Sequence, residues 1–297
     1  ALVYQGDDPE NALRWTSAGR FQIGEPLSIR SHCKVGGTEI ILTKDGWLDI
    51  STALSGGRLS EASTYSDKII SAAKQAANQY SAFFGWECFY YPAGNLFIAN
   101  IPQSDFAPIP GSGSTEWAIQ SEQHARNTST GAWCRFVGWE ATTFAVWKDV
   151  LYFASGGKIY TGDIGTSDDG GPIYIECIPA FNALNAKGKR KQVTLAAHLT
   201  NFPNPEFLVK DGMADYNIVF QNQVVDAPFL GGAAWDLVDW DTEYWATDDE
   251  SLAETTEGWA DTSAFGYAVT VSMRARITGY SLKWYGTNYV YRFAGAI

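Results

Sequence analysis

Histidine is scarce in this sequence, and the common catalytic motifs are missing from it. Only His32, His124 and His198 occur among 297 residues. His32 adjoins Cys33, but neighbouring residues of a strand point to opposite faces, so the two cannot form a nucleophile–base pair there. The sequence also lacks a P-loop and the GxSxG, GxGxxG and HExxH motifs. We therefore expect a protein that is not an enzyme.

The cysteines are too scattered to predict a zinc site. Cys33, Cys88, Cys134 and Cys177 lie 43 to 55 residues apart and include no CxxC pair. Structural zinc sites use ligands about two to four residues apart. Scattered, core-facing thiols are typical of reduced cysteines in a protein assembled in the cytosol. The sequence thus predicts neither a metal nor a cofactor.

Long apolar runs are absent as well. No stretch approaches about eighteen consecutive apolar residues, so we expect no transmembrane helix and no membrane anchor. Residues 1–10 lack the basic and then apolar pattern of a secretory signal. The sequence begins without Met, so we expect either a trimmed initiator or a processed or partial chain.

Basic residues are missing from one long segment, which sets the charge of the whole chain. Residues 211–273 contain 13 of the 33 acidic residues and no Lys or Arg, while the formal net charge is −12. The rest of the chain is therefore close to neutral. An acidic surface of this kind repels phosphate.

Short runs of alternating apolar and polar residues are abundant in the chain. This is the pattern of half-buried strands. Turn sequences separate these runs, for example at residues 44–46 and 148–149. Four short antiparallel strands within about 40 residues have the size of a propeller blade, and residues 115–162 and 38–102 each fit one blade. We expect an all-β fold, a single domain over residues 1–297 built as a β-propeller or partial propeller of four-stranded blades. Trp133, Trp147, Phe136 and Tyr152 are its candidate core residues.

One helix is predicted, as an insertion spanning residues 60–82. Between positions 65 and 80, apolar side chains recur at helical spacing; they are Ile69, Ile70, Ala73, Ala76, Ala77 and Tyr80. Ser66 is expected to cap the helix N-terminus. The apolar face is narrow and suits close packing, either within the chain or on a neighbouring subunit. Ile69 and Ile70 are therefore candidate subunit contacts.

Two further segments are candidate binding sites. Residues 187–191 form a dense basic run, with Lys187, Lys189, Arg190 and Lys191. Such a run is typical of a solvated loop, or of a docking patch for an acidic partner or nucleic acid. The acidic, Trp-rich region 231–264 repeats Trp every five residues between positions 235 and 245. These Trp side chains suit either structural packing within the array of strands and turns or stacking on sugars. The spacing of the Asp residues does not match a calcium loop.

Several short stretches carry a resemblance to a known family. They are VYQGDDP at 3–9, GRFQIG at 19–24, ILTKDG at 41–46, NTSTGAWCRF at 127–136, FAVWKDVLYF at 144–153 and GKIY at 157–160. Together with Trp15 and the Trp-Asp array at 235–245, they make the chain resemble the tail-hub proteins of short-tailed bacteriophages. These are also called packaged-DNA stabilisation or nozzle proteins.

The resemblance implies a fold, a location and a set of partners. It implies a β-propeller subunit without catalytic residues. Several copies, expected to be six, would form a ring around the tail axis of the virion. Assembly would take place in the host cytoplasm. Its neighbours would be the portal-adaptor proteins above and the tail needle, spike or fibre proteins. The implied role is to close the head, retain packaged DNA and pass it on ejection. The family's proteins are generally longer, and this chain resembles their C-terminal half.

In such a ring the acidic segment would face the double-stranded DNA and keep it unbound, without sequence-specific contacts. The candidate channel residues are Asp236, Asp239, Asp241 and Asp248. The segment could equally lie on the outside and keep the particle soluble. A competing function is a carbohydrate- or receptor-binding propeller, which a glycan array would reveal. A glycosidase with paired carboxylates is a further competitor, although residues 43–47 approach a sialidase Asp-box only with the wrong spacing.

Overall fold

The computed structural model describes residues 2–11, 13–21, 23–56, 64–105, 107–108, 117–118, 120–201, 209–219, 255–279 and 281–294. It is mostly β, with several small antiparallel sheets, so the predicted all-β class is confirmed. The chain divides into two compact units, Ala1–Ile164 (unit 1) and Gly165–Ile297 (unit 2), whereas the sequence predicted a single domain. Within the described residues, every helix is too short or too polar to cross a bilayer.

Among the described residues of unit 1, three antiparallel sheets of three or four strands follow one another along the chain. The first sheet consists of β3 (His32–Val35), β4 (Thr38–Thr43) and β5 (Gly46–Asp49). The second consists of β6 (Glu87–Tyr91), β7 (Leu96–Pro102), β10 (Ser121–Asn127) and β11 (Trp133–Val137). The third consists of β12 (Thr143–Trp147), β13 (Val150–Ser155) and β14 (Lys158–Gly162). Two minor pairs are β1 (Leu2–Gly6) with β2 (Trp15–Arg20) and β8 (Ala107–Pro108) with β9 (Trp117–Ala118).

The second sheet is buried on both faces. On one face, Phe97, Ala99 and Ile101 pack against a cluster from the first sheet and the helical insertion that includes Trp47 and Ala73. The side chains on the other face pack against the third sheet; this layer contains Tyr91, Ile98, Ala141, Phe144, Leu151 and Phe153. Successive residues of a strand point to opposite faces, so one sheet supplies both layers.

The predicted blades do not coincide with these sheets. Residues 115–162 are divided between the second and third sheets, and residues 38–102 between the first and second. The reason is the pairing of β7 with β10, which runs from Pro102 opposite Ser121 to Leu96 opposite Asn127. Alternation identifies a strand and its buried face but not its partner. The arrangement of such sheets into a propeller stays a prediction.

Two hairpin turns require the turn residues found in the sequence stretches 127–136 and 144–153. Between β12 and β13, Lys148 and Asp149 adopt left-handed backbone conformations with φ of 50° and 61°, as a two-residue type I′ turn requires. Between β10 and β11, the Asn127 side-chain oxygen accepts hydrogen bonds from the amides of Ser129 at 3.0 Å and Thr130 at 2.9 Å. Both stretches are therefore accounted for by local turn geometry.

The helical insertion packs inward. Its elements are α1 (Ile50–Gly56), a 3₁₀ turn (Asp67–Ile69) and α2 (Ile70–Tyr80). Ser66 does not cap the helix as predicted; it is buried, and its hydroxyl accepts a hydrogen bond from the Trp47 amide at 3.0 Å. Ile69 packs against the unit 1 core. A Cβ at Gly46 would meet Cδ1 of Ile70 at 2.5 Å, so both isoleucines contact their own unit rather than stand free for a neighbouring subunit.

The four candidate core residues differ in burial. Trp133 is half-buried and packs edge-on against Tyr65 and Phe97, with ring centroids 6.1 and 6.0 Å apart. Phe136 and Tyr152 are half-buried as well. Trp147 is 61% exposed, so its prediction as a core anchor is wrong. The physical reason is that Phe144 faces the core, and Trp147, three residues along the strand, points the opposite way.

The described residues of unit 2 form two three-stranded antiparallel sheets. One consists of β15 (Ile173–Cys177), β17 (Val209–Ala214) and β19 (Val269–Ile277), with β19 in the middle. The other consists of β16 (Lys191–Asn201), β18 (Thr255–Gly266) and β20 (Lys283–Phe293), with β16 in the middle. Val193, Ala264 and Val269 form an apolar cluster between them. His198 is buried there and contacts the Ser272 carbonyl oxygen at 3.1 Å.

A pair of tryptophan substitutions tests the two-sided packing of unit 1. Trp47 is completely buried, so Trp47→Ala should lower the free energy of unfolding by about 3–5 kcal/mol. The matched change Trp147→Ala removes an exposed ring and should cost less than about 1 kcal/mol. Chemical denaturation followed by circular dichroism measures both. Equal losses from the two substitutions would contradict the assignment of buried and exposed faces.

Candidate functional site: a basic and aromatic surface

A buried lysine organises the basic run of unit 2. Lys191 has no exposed surface, and its ammonium donates to the carbonyl oxygens of Ala186 at 2.8 Å, Lys189 at 2.9 Å and Tyr267 at 2.7 Å. Three carbonyls use all three donors of the ammonium group, which offsets the cost of burying the charge. The sequence predicted Lys191 as a docking residue. Because the side chain is buried, it cannot contact a partner and instead fixes the loop that precedes it.

The other three predicted docking residues are exposed, and a fourth cation joins them. Lys187, Lys189 and Arg190 lie on the surface of the loop. Arg292 lies on β20 opposite Gln192, two positions after Arg190 in the chain, and its guanidinium donates to the Gln192 side-chain oxygen at 2.9 and 2.7 Å. We refer to Lys187, Lys189, Arg190 and Arg292 as the basic cluster.

Aromatic rings position two of these cations. The Arg190 guanidinium lies 5.2 Å from the ring centroid of Tyr267 and 5.8 Å from that of Phe265. The Lys189 ammonium lies 5.3 Å from the Phe293 ring. These are cation–π distances, and all three rings are about half exposed. The surface thus combines fixed positive charge with accessible aromatic faces.

The charge of the basic cluster is not neutralised within the described part of the chain. None of its four residues forms an ion pair there with a described carboxylate. The nearby Asp215 accepts hydrogen bonds from the Tyr267 and Ala268 amides at 2.7 and 3.0 Å, so it stabilises the adjacent turn. Such a surface can hold an anion, such as a phosphate or a carboxylate, by charge and hydrogen bonding.

The three histidines occupy unrelated positions. His32 is exposed and contacts Glu39 at 2.8 Å. His198 is buried between the Thr287 hydroxyl at 2.7 Å and a backbone carbonyl. His124 is buried, and burial together with the charge of Arg135 lowers its pKa to about 4. Its ring is therefore neutral at physiological pH, although a carboxylate oxygen of Glu122 lies 3.6 Å away.

The candidate channel residues Asp236, Asp239, Asp241 and Asp248 lie outside the described residues, as does the Trp array at 235–245. The ends of the acidic segment are described. Asp211 is buried and pairs with Arg274 at 2.7 Å, just beyond the segment, so one of the 13 acidic residues is neutralised within unit 2.

Comparison with protein-family models finds no family that matches the chain, and comparison with curated protein sequences finds no match either.

Sequence reasoning found the basic run but missed its partners. Arg292 and the three aromatic residues lie 74 to 106 positions away in the chain, on β18 and β20 or just after β18. They meet the run because β16 pairs with both strands, placing Gln192 between Phe265 and Arg292. The sequence pattern of residues 267–293 predicts strands, but it does not indicate that β16 pairs with β18 and β20.

The neutral state of His124 predicts a pH dependence of stability. Between pH 6.5 and about 4, the imidazole takes up a proton in the unfolded chain but not in the folded one. The folded state should therefore lose stability as pH falls through this window, by on the order of 3 kcal/mol. Urea denaturation of the parent and of His124→Gln across this range measures the difference. The exposed His32→Gln is the control, and a parental pH slope in His124→Gln would contradict the interpretation.

The role of Lys191 predicts a large effect from a change that preserves side-chain length. Lys191→Met removes the ammonium and leaves three buried carbonyls without their donor, so the free energy of unfolding should fall by about 3 kcal/mol or more. Lys187→Met, on the same loop but exposed, should change it by less than about 0.5 kcal/mol. Denaturation curves of both variants provide the test, and parental stability in Lys191→Met would refute the buried role.

Proposed function

We propose that the protein is a structural component of the tail hub, or nozzle, of a short-tailed bacteriophage. In this role it closes the head, retains packaged DNA and forms part of the conduit through which DNA is ejected. The family resemblance of the sequence stretches described above suggests the role. The architecture of unit 1 is the observation that supports it best.

The stacked antiparallel sheets of unit 1 support this proposal. Its three sheets are antiparallel meanders in chain order, and the second sheet is covered on both faces by its neighbours. A propeller repeats this arrangement around an axis. Each sheet inside such a stack needs a neighbour on both faces, so an end sheet requires a further partner.

The third sheet of unit 1 provides a face suited to such a partner. Trp147 is 61% exposed and Ile159 is 77% exposed, and both lie on the face opposite Phe144 and Leu151. Exposed apolar faces of this kind mark interaction sites. In the proposed ring, this face packs against another blade or a neighbouring copy. It replaces Ile69 and Ile70 as the candidate subunit contact.

The basic cluster supplies a second contact in this proposal. Its exposed cations suit an acidic partner within the tail, such as an adaptor protein, or the DNA backbone, which is bound without regard to sequence. The net charge of −12 opposes general adhesion of the chain to DNA. A small basic surface on an acidic protein therefore favours a localised contact.

The proposal is tested in the phage that encodes the chain. Gold labelling of the protein should mark the junction of head and tail in electron micrographs, and particles that lack it should fill with DNA and then lose it. Trp147→Asp and Ile159→Asp should reduce its incorporation into particles, because a charge enters the apolar contact. Ile29→Asp, at a residue 90% exposed elsewhere in unit 1, is the matched control.

Two outcomes would contradict this function. One is a label on the capsid or at the fibre tips with DNA retention unaffected by loss of the protein. The other is saturable binding of one sugar on a glycan array that Trp259→Ala abolishes, since Trp259 is a 48% exposed ring of unit 2. The second result would favour the carbohydrate-binding alternative.

A further inference from the structure

Two of the four cysteines meet where the first sheet of unit 1 packs against the second. Cys33 lies on β3 and Cys88 on β6, 55 positions apart in the chain, and their sulfur atoms are 2.8 Å apart. A disulfide bond is about 2.05 Å long, so the two sulfurs need to approach by less than about 1 Å to become bonded.

The backbone around the pair is already held in place. The Cys88 amide donates to the Arg30 carbonyl oxygen at 2.9 Å, and the Ser28 hydroxyl donates to the Trp86 carbonyl oxygen at 2.7 Å. The Arg30 guanidinium also pairs with Glu87 at 3.2 Å. These contacts join the segment before β3 to the start of β6, so a covalent bond would form between strands that are fixed beside each other.

The two thiols differ in access to solvent. Cys33 is half-buried, whereas Cys88 is buried, with 4% of its surface exposed. Burial raises the pKa of the Cys88 thiol well above its usual range, which keeps it protonated and weakly reactive toward oxidants in solution. An oxidant from solution therefore reaches Cys33 first, and Cys88 completes the reaction.

We infer that Cys33 and Cys88 form a reversible disulfide that joins the first sheet of unit 1 to the second. With a small-molecule disulfide as oxidant, the Cys33 thiolate attacks one of its sulfurs, forming a mixed disulfide and releasing one thiolate. Cys88 then transfers its proton by way of solvent to the thiolate released first and attacks the Cys33 sulfur, which releases the second thiolate. That thiolate takes up the proton that Cys33 lost on ionising. The two protein thiols lose two electrons, and the oxidant is reduced to two thiols.

The bond forms once the protein leaves a reducing compartment, since thiols stay reduced in the cytosol. By closing a loop of 55 positions, it restricts the unfolded chain and stabilises the folded one. Cys134 and Cys177 have no such partner among the described residues. This inference does not depend on the proposed function.

Peptide mapping tests the inference directly. The chain is equilibrated with oxidised glutathione, free thiols are blocked with iodoacetamide, and trypsin digestion is performed without reduction. The expected product is peptide 31–34 linked to peptide 75–126, since each contains a single cysteine, and dithiothreitol should separate them. Recovery of both peptides as alkylated thiols or as separate glutathione adducts would overturn the inference, as would a link from either cysteine to Cys134 or Cys177.

Variants show whether the bond has its stabilising effect. The oxidised parent should melt roughly 5–10 °C above the reduced parent, and Cys33→Ser, at a half-buried position, should abolish both the link and this difference. Cys33→Ala repeats the test with an apolar side chain. Cys134→Ser and Cys177→Ser are matched controls that should retain the link and the difference. Loss of the link in either control, or a melting difference between oxidised and reduced protein that is retained in Cys33→Ser, would refute the assignment.

Discussion

The pairing of β7 with β10 is the contact on which the architecture of unit 1 depends. It completes a four-stranded sheet from two hairpins that are separated by residues 103–120. This sheet presents two apolar faces, one to the first sheet and α2 and the other to the third sheet. Because each layer buries large side chains in a close-packed interior, the three sheets stabilise one another as a stack.

Several polar side chains inside both units donate to backbone carbonyls or to one another. In unit 1, the buried Asn100 amide donates to the carbonyls of Gly85 and Ala141 at 2.9 and 3.0 Å, and Gln123 donates to the Asn100 side-chain oxygen at 2.9 Å. In unit 2, Lys191 contacts three carbonyls. Unpaired polar groups are costly in a low-dielectric interior, so these contacts favour chain arrangements in which the Asn100, Gln123 and Lys191 donors meet their acceptors. They fix the linker before the third sheet and the basic loop.

Two exposed surfaces among the described residues suit different partners. The outer face of the third sheet carries Trp147 and Ile159 and is suited to another sheet. The basic cluster is charged, and aromatic rings hold two of its side chains. An assembly subunit needs contacts of both kinds, since apolar faces stabilise permanent interfaces and charged ones set orientation and partner choice. The proposed tail-hub role accommodates both surfaces within one assembly.

The sequence by itself determined the all-β class, the hairpin turns and the main helix, because these depend on alternation, turn residues and helical spacing within a few positions. It identified the basic run for the same reason. Only the tertiary structure decided which strands share a sheet, and with it that Trp147 is exposed and that the basic cluster includes Arg292. It also decided that Lys191 is buried and that Cys33 meets Cys88. These outcomes depend on contacts between residues from 19 positions apart, as for Pro102 and Ser121, to 102 positions apart, as for Lys191 and Phe293, and the local pattern of a strand carries no information about its partner.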